Sequence, residues 1–400
     1  MLQTKLDTVL IRILHICSAM IVLLQVLDFP SAVSLLFSAT FILTAALWVI
    51  VAMRKINSLD ILVLCVIVVA LLNIGLNAWI TGAAVSLGSL RKFVIFAFTL
   101  LYFAAAHKLS IDSLTEKLFF WSNSLLAAFL ILYFYTNNDQ AHLFNNIYTE
   151  YLTFNFTNPN LTAMFLICIF FMELLQLFRQ KQTLLRLLHL VLAGFMFYFI
   201  IETRSRNCLL VATGVSAVLA VVALRKKEPT FPRWMAVLVA VFPILFAAAY
   251  LIIVDSPVFQ ILFRFLVSDG KDLDSRLTMW TTALEEYMRS PFLGAYNQIT
   301  QGDSSLQMHN THIDILVSYG PVVLLLVCFF LAQCLRQERG RGSKYDFAAA
   351  VCFSGTLIMG MAEASLFSGG LGLYLLAGVF LLLQGRLRQD EETIAAEVSS

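Results

Sequence analysis

Apolar runs long enough to cross a bilayer recur along nearly the whole of this 400-residue chain. Inside hydrocarbon each backbone N–H and C=O must be satisfied by the protein itself, and a run of about 17 to 25 apolar residues does this as a helix. Such runs lie near 10–27, 32–53, 59–76, 92–107, 118–135, 160–178, 187–201, 207–224, 234–254, 311–334, 346–362 and 366–384, about twelve spans in all. The residue content agrees, with 60% hydrophobic and 13% charged side chains and a mean hydropathy of +0.84, well outside a soluble domain of this length. The expected fold is therefore all-α, a polytopic integral membrane protein with a single transmembrane domain over 1–400. The seven cysteines sit mostly within apolar runs, without metal-ligand spacing, so no disulfide framework is expected. The first run is too long for a signal peptide and lacks a small-residue cleavage site, which makes it a retained span.

Charge placement orients the spans. Nineteen of the 27 Lys and Arg, from Lys5 and Arg12 to Arg386 and Arg388, fall on one set of alternate loops. The positive-inside rule then puts both termini in the cytoplasm, with 385–400 as a cytoplasmic tail and 136–160 and 255–308 as outer loops. The remaining cations are Arg91, Lys92, Arg204, Arg206, Arg264, Lys271, Arg276 and Arg289. Any one of them is as readily a snorkelling anchor as a site residue, but their gathering on the outer side runs against the topological bias.

The outer side carries the polar motifs. Segment 136–160 closes on Phe156-Thr157-Asn158-Pro159-Asn160, where Pro159 ends what precedes it and Asn160 is the expected cap of the next span. The hairpin Glu202-Thr203-Arg204-Ser205-Arg206-Asn207 pins two arginines at the membrane surface. Arg206 shares a helical face with Leu210 and is expected to look into the bundle, unless Glu202 simply neutralises one of the pair. Within 255–308, Leu277, Trp280, Leu284, Tyr287 and Met288 recur at helical spacing after Asp274 or Ser275, and Pro291 and Gly294 end the run. This predicts a short amphipathic helix on the outer interface. Trp280, Tyr287 and Tyr296 are candidates for stacking on sugar rings, or else interfacial anchors. Asn310 is the expected cap of the tenth span, so the positive end of that helix faces outward beside His309 and His312. The two histidines are three residues apart, but no acidic or cysteine partner occurs at ligand spacing, so no metal is expected. Glu363, before the last span, either orients an acceptor or ends a helix.

These residues resemble the O-antigen ligase and O-antigen polymerase superfamily of bacterial envelope glycosyltransferases. The resemblance rests on Arg206-x3-Leu210, on Arg276-Leu277-x2-Trp280 followed by Ser290-Pro291-Phe292-x-Gly294, and on His309-Asn310-x9-Gly320, supported by Asn158-Pro159-Asn160. It covers roughly the C-terminal three-fifths of the chain, and the first five spans carry no matched motif. Val323 departs from the small residue or Tyr usual there in the family.

The resemblance implies a membrane-embedded, C-type, inverting glycosyltransferase without cofactor or metal, in the cytoplasmic membrane of a bacterium and active on its outer face. Its donor would be a glycan on undecaprenyl diphosphate, and its acceptor a sugar hydroxyl of a lipid-linked repeat unit or of a lipid A core. The product would be surface polysaccharide, O-antigen or capsule. By the same resemblance Arg206 and Arg276 hold the diphosphate, with Arg204 as a third candidate, and His309 assists the acceptor hydroxyl. His312, Asn310, Trp280, Tyr296, Arg91 and Glu363 are the candidate sugar and acceptor contacts. Partners of such an enzyme would be a flippase and a chain-length regulator, and no nucleic acid. A polymerase is preferred over a ligase on the Asn-Pro-Asn turn and the modest outer loop. A lipid-linked oligosaccharide flippase is the alternative from another class; it would place ionisable residues near the bilayer midplane, whereas here only Glu173 interrupts the spans clearly, towards their cytoplasmic end.

Overall fold

The computed structural model describes residues 2–54, 56–82, 84–107, 113–137, 151–156, 158–227, 229–253, 256, 273–295, 308–335 and 344–361. In order these form α1 (Leu2–Val26), α2 (Ser31–Ala52), α3 (Ser58–Thr81), α4 (Leu87–His107), α5 (Ser113–Thr136), α6 (Pro159–Arg179), α7 (Thr183–Glu202), α8 (Arg206–Leu224), α9 (Arg233–Ile253), α10 (Leu273–Met288), α11 (Thr311–Tyr319), α12 (Pro321–Leu335) and α13 (Lys344–Met359). Among the described residues nine helices, α1 to α9, are long and apolar enough to cross a membrane. The protein is a multi-pass, all-helical membrane protein.

α6 lies at the centre, buried on nearly every side against α5, α7, α8 and α13. α5, α7 and α8 bury less than half of their residues and turn others outward as Leu, Ile, Val and Trp, as lipid-facing helices must, whereas α13 is buried along most of its length. Glu173 on α6 is fully buried and satisfied within the protein. Asn123 Nδ2 and Ser124 Oγ of α5 donate to one carboxylate oxygen at 2.9 and 2.8 Å, and His189 Nδ1 of α7 meets the other at 2.7 Å. The start of α6 differs by two residues from the sequence expectation. Asn158, not Asn160, is the cap: its side chain accepts from the Asn160 amide, and Pro159, lacking an N–H, occupies the first helical position.

The expected tenth span is two helices. α11 stops at Tyr319, Gly320 adopts φ +86°, and Pro321 begins α12. The break lets another backbone come close. The turn after α10 inserts there, with the Ala295 amide donating to the Val317 carbonyl at 2.7 Å. Gly294, at φ +83°, lies so near that a β-carbon would stand 2.8 Å from the Val317 oxygen and 2.9 Å from the Gly320 nitrogen. α3 fastens both sides of this contact: Asn73 Nδ2 donates to the Tyr319 carbonyl at 2.6 Å, and Asn77 Nδ2 donates to the Gly294 carbonyl. The Ser-Pro-Phe-x-Gly and His-Asn-x9-Gly patterns thus end in two glycines packed backbone to backbone.

Gly294→Ala is expected to destabilise the protein by about 1–3 kcal/mol, because the clash is with backbone that cannot rotate away and the φ is unfavourable to alanine. Gly75→Ala, in the interior of α3 with no atom within 4 Å of where the new methyl would stand, should leave stability unchanged or raise it. Thermal unfolding in detergent separates the two, and equal shifts would refute the packing argument.

The expected eleventh span forms as α13, whereas 366–384 and the tail 385–400 lie outside the described residues. The amphipathic helix forms as α10, starting at Leu273 and so ahead of Asp274 and Ser275, the expected caps.

Candidate functional site

His309 occupies the turn that leads into α11, at a left-handed φ of +44°. That conformation is sparsely populated for a histidine and costs about 1–3 kcal/mol, so the flanking chain must hold it. It does so on both sides. Before His309, the Met308 carbonyl accepts the Trp280 indole N–H at 2.7 Å. After it, fully buried Asn310 makes four hydrogen bonds: its Oδ1 accepts from the amides of His312 (2.9 Å) and Ile313 (3.0 Å), and its Nδ2 donates to the carbonyls of Pro243 (3.0 Å) and Met361 (2.9 Å). The cap expected from the sequence is therefore also a joint between three segments. Pro243 supplies part of the geometry, since a proline inside α9 removes one helical hydrogen bond and opens that turn. There the Ala240 carbonyl meets His312 Nε2 at 2.6 Å.

The final turn of α13 is a ledge shared by two motifs. The Thr311 amide donates to the Gly360 carbonyl at 2.8 Å, beside the bond from Asn310 to Met361. Asn207, next to Arg206 at the start of α8, donates from Nδ2 to the Met359 carbonyl at 2.9 Å. Three successive carbonyls thus tie the Arg206 end of α8 to the His309 turn. α10 joins through Trp280, one helical turn after Arg276. The segments bearing Arg206, Arg276 and His309 meet at one place. For Arg276 itself only the backbone is described, and Tyr296 and Glu363 lie outside the described residues.

Residues 191–328, about a third of the chain, match a family model described as O-antigen ligase. Over this segment the chain is similar to the O-antigen ligase family, and the match supports the O-antigen ligase and polymerase superfamily. No curated protein matches the chain. The matched segment runs from α7 into α12 and contains all three principal motifs; the ledge at the end of α13 lies beyond it.

Set against the O-antigen ligase motifs, several sequence expectations change. Arg206 and Leu210 do share a face, but both are exposed, so that face looks out of the packed helices and not into them. The buried side chains of this corner are Thr203, Ser205 and Cys208. Arg204 is also exposed, at φ +52°, with its guanidinium 5.0 Å above the Tyr151 ring. Trp280 is buried edge-on against Tyr250, so it fastens α10 and has no free face for a sugar. Asn310 has its hydrogen-bonding capacity filled by backbone groups and is structural. His312 is buried with Nε2 on a carbonyl, so its ring is an internal anchor of α11 on α9. Arg91 is exposed at the start of α4. Lys92 is engaged with Asp314 at 2.6 Å and Ser318 at 3.1 Å, and Arg289 with Glu286 at 3.0 Å, which removes two of the outer cations from the candidate set.

Sequence reading missed Asn207, Asn73, Asn77 and Pro243. Asn73, Asn77 and Pro243 were visible as polar residues or a proline inside an apolar run, the signal by which such residues announce partners in other helices, whereas Asn207 stands in the polar hairpin beside Arg206. Half-buried His309 and exposed Arg206 and Arg204 remain as groups that a substrate can reach. Among the described residues no group of three His, Cys, Asp or Glu is arranged to hold a metal ion.

Proposed function

We propose that the protein is an inverting glycosyltransferase that moves a glycan from undecaprenyl diphosphate to a sugar hydroxyl outside the cytoplasmic membrane, and that it joins lipid-linked repeat units as a polymerase. The observation that carries this reading is the common fastening of α8, α10 and the His309 turn through Met308 and Met359–Met361. Breaking the sugar–diphosphate bond builds negative charge on phosphate. Guanidinium groups offer permanent charge and paired donors for it, and no metal step is required. A neutral imidazole at His309 would accept the proton of the attacking hydroxyl as the new glycosidic bond forms. The positive end of α11 adds a field favourable to the anion.

The name of the matched family supports a second reading, transfer of a finished chain to a lipid A core or another acceptor. Purified protein given lipid-linked repeat units alone separates the two. A ladder of longer lipid-linked products is expected, and product formation only after addition of a core acceptor would establish the ligase instead. A flippase is disfavoured because the clearest ionisable group within the spans, Glu173, is enclosed by Asn123, Ser124 and His189 away from the site motifs. Movement of the lipid-linked glycan across vesicles with no new glycosidic bond would reverse that judgement.

A further inference from the structure

The corner between α1 and α2 forms an open pocket of about 430 Å³, within the size range of small-molecule sites. Its lining mixes polar and apolar groups, with Leu24 and Leu35 beside the polar side chains. Gln25 and Asp28 come from the end of α1, Phe29 from the corner, and Ser31, Ser34 and Ser38 from one face of α2. α2 begins after Pro30 with no side-chain cap, so its first amides keep donors to offer. Phe29 is half exposed. Hydroxyl and amide donors, a carboxylate acceptor and an open aromatic ring match the two sides of a neutral sugar, its hydroxyl edge and its apolar C–H face. The lining contains no Lys or Arg, so a phosphate is not what it selects.

The cavity is tied to the arginine corner. Gln25 Nε2 donates to the Asn155 carbonyl at 2.7 Å, and Asn155 Nδ2 donates to the Val26 carbonyl at 2.8 Å. Four residues back along the same segment, Tyr151 lies beneath the Arg204 guanidinium. Four residues of chain span at most roughly 14 Å, the length of a few linked sugars.

We propose that this cavity is a glycan subsite, taking one or two neutral sugar residues of the lipid-linked chain while its diphosphate lies at the arginines. The inference rests on the transferase reading above for its donor, but not for its sugar chemistry.

The test is binding to the full-length protein in nanodiscs, by saturation-transfer NMR and calorimetry. One probe is the neutral oligosaccharide released by mild acid from the host cell's own lipid-linked donor, and the other is undecaprenyl diphosphate. The Ser34→Leu/Ser38→Leu double variant fills the cavity, and Asp28→Asn removes its charge while keeping a residue that tolerates the φ of +49° found there. Both should bind the oligosaccharide at least tenfold more weakly and undecaprenyl diphosphate unchanged, with the unfolding temperature unchanged for Asp28→Asn. Equal oligosaccharide binding by wild type and Asp28→Asn, or no binding by wild type, overturns the proposal. Oligosaccharide binding that is lost in the variants, in a protein that forms no glycosidic bond under any condition, would leave the subsite standing and remove the transferase reading.

Discussion

Arg206→Ala is expected to slow glycan transfer from purified lipid-linked donor by about 10² to 10³-fold, the scale of losing one donor to a developing anion. Its unfolding temperature should match wild type, because the Arg206 side chain is exposed and no described hydrogen bond or ion pair uses it for the fold. The loss should fall mainly on kcat, since charge on the leaving phosphate grows in the transition state. Arg206→Lys keeps the charge but not the planar pair of donors, so only part of the rate should return. Arg276→Ala is expected to behave alike, and transfer at the wild-type rate would remove that arginine from the mechanism. A drop in stability accompanying Arg206→Ala would instead make the residue a fastening of the α7–α8 hairpin.

Legibility in the sequence followed the range of the interaction. Spans α1 to α9 could be read because hydrocarbon imposes the same length and polarity on every helix that crosses it. The Asn310 cap could be read because a cap involves amides only two and three residues away. The break at Gly320 carried a local Gly-Pro signal, yet the apolar run on both sides hid it, since hydropathy does not distinguish one long helix from two short ones. What makes the break permanent is Gly294 and the α3 asparagines, which are far away in the chain. Trp280 shows the same limit at the candidate site. Its spacing on α10 was correct, but burial by Tyr250 and a bond to Met308 decided its role, and neither partner is near it in sequence. Arg206 was misdirected for a related reason: a shared face with Leu210 is a statement about α8 alone, whereas inside and outside are set by the helices packed around it.

Asn310→Ala is the substitution expected to damage the fold of the site most. It strips the partners from two buried amides and two buried carbonyls, and each buried group left unpaired costs about 1–3 kcal/mol. Relaxation and water will recover some of this, so a loss on the order of 3–5 kcal/mol is expected, read as a large fall in unfolding temperature together with loss of transfer. Asn310→Asp distinguishes the two halves of the joint. An aspartate keeps the acceptor for the His312 and Ile313 amides and suits the positive end of α11, but it turns an oxygen towards the Pro243 and Met361 carbonyls where a donor stood. If the bonds to α9 and to the end of α13 hold the His309 turn in place, Asn310→Asp should retain a helical α11 yet lose transfer nearly as fully as Asn310→Ala. If the cap alone matters, Asn310→Asp should work, and the three-way joint would have no part in presenting His309.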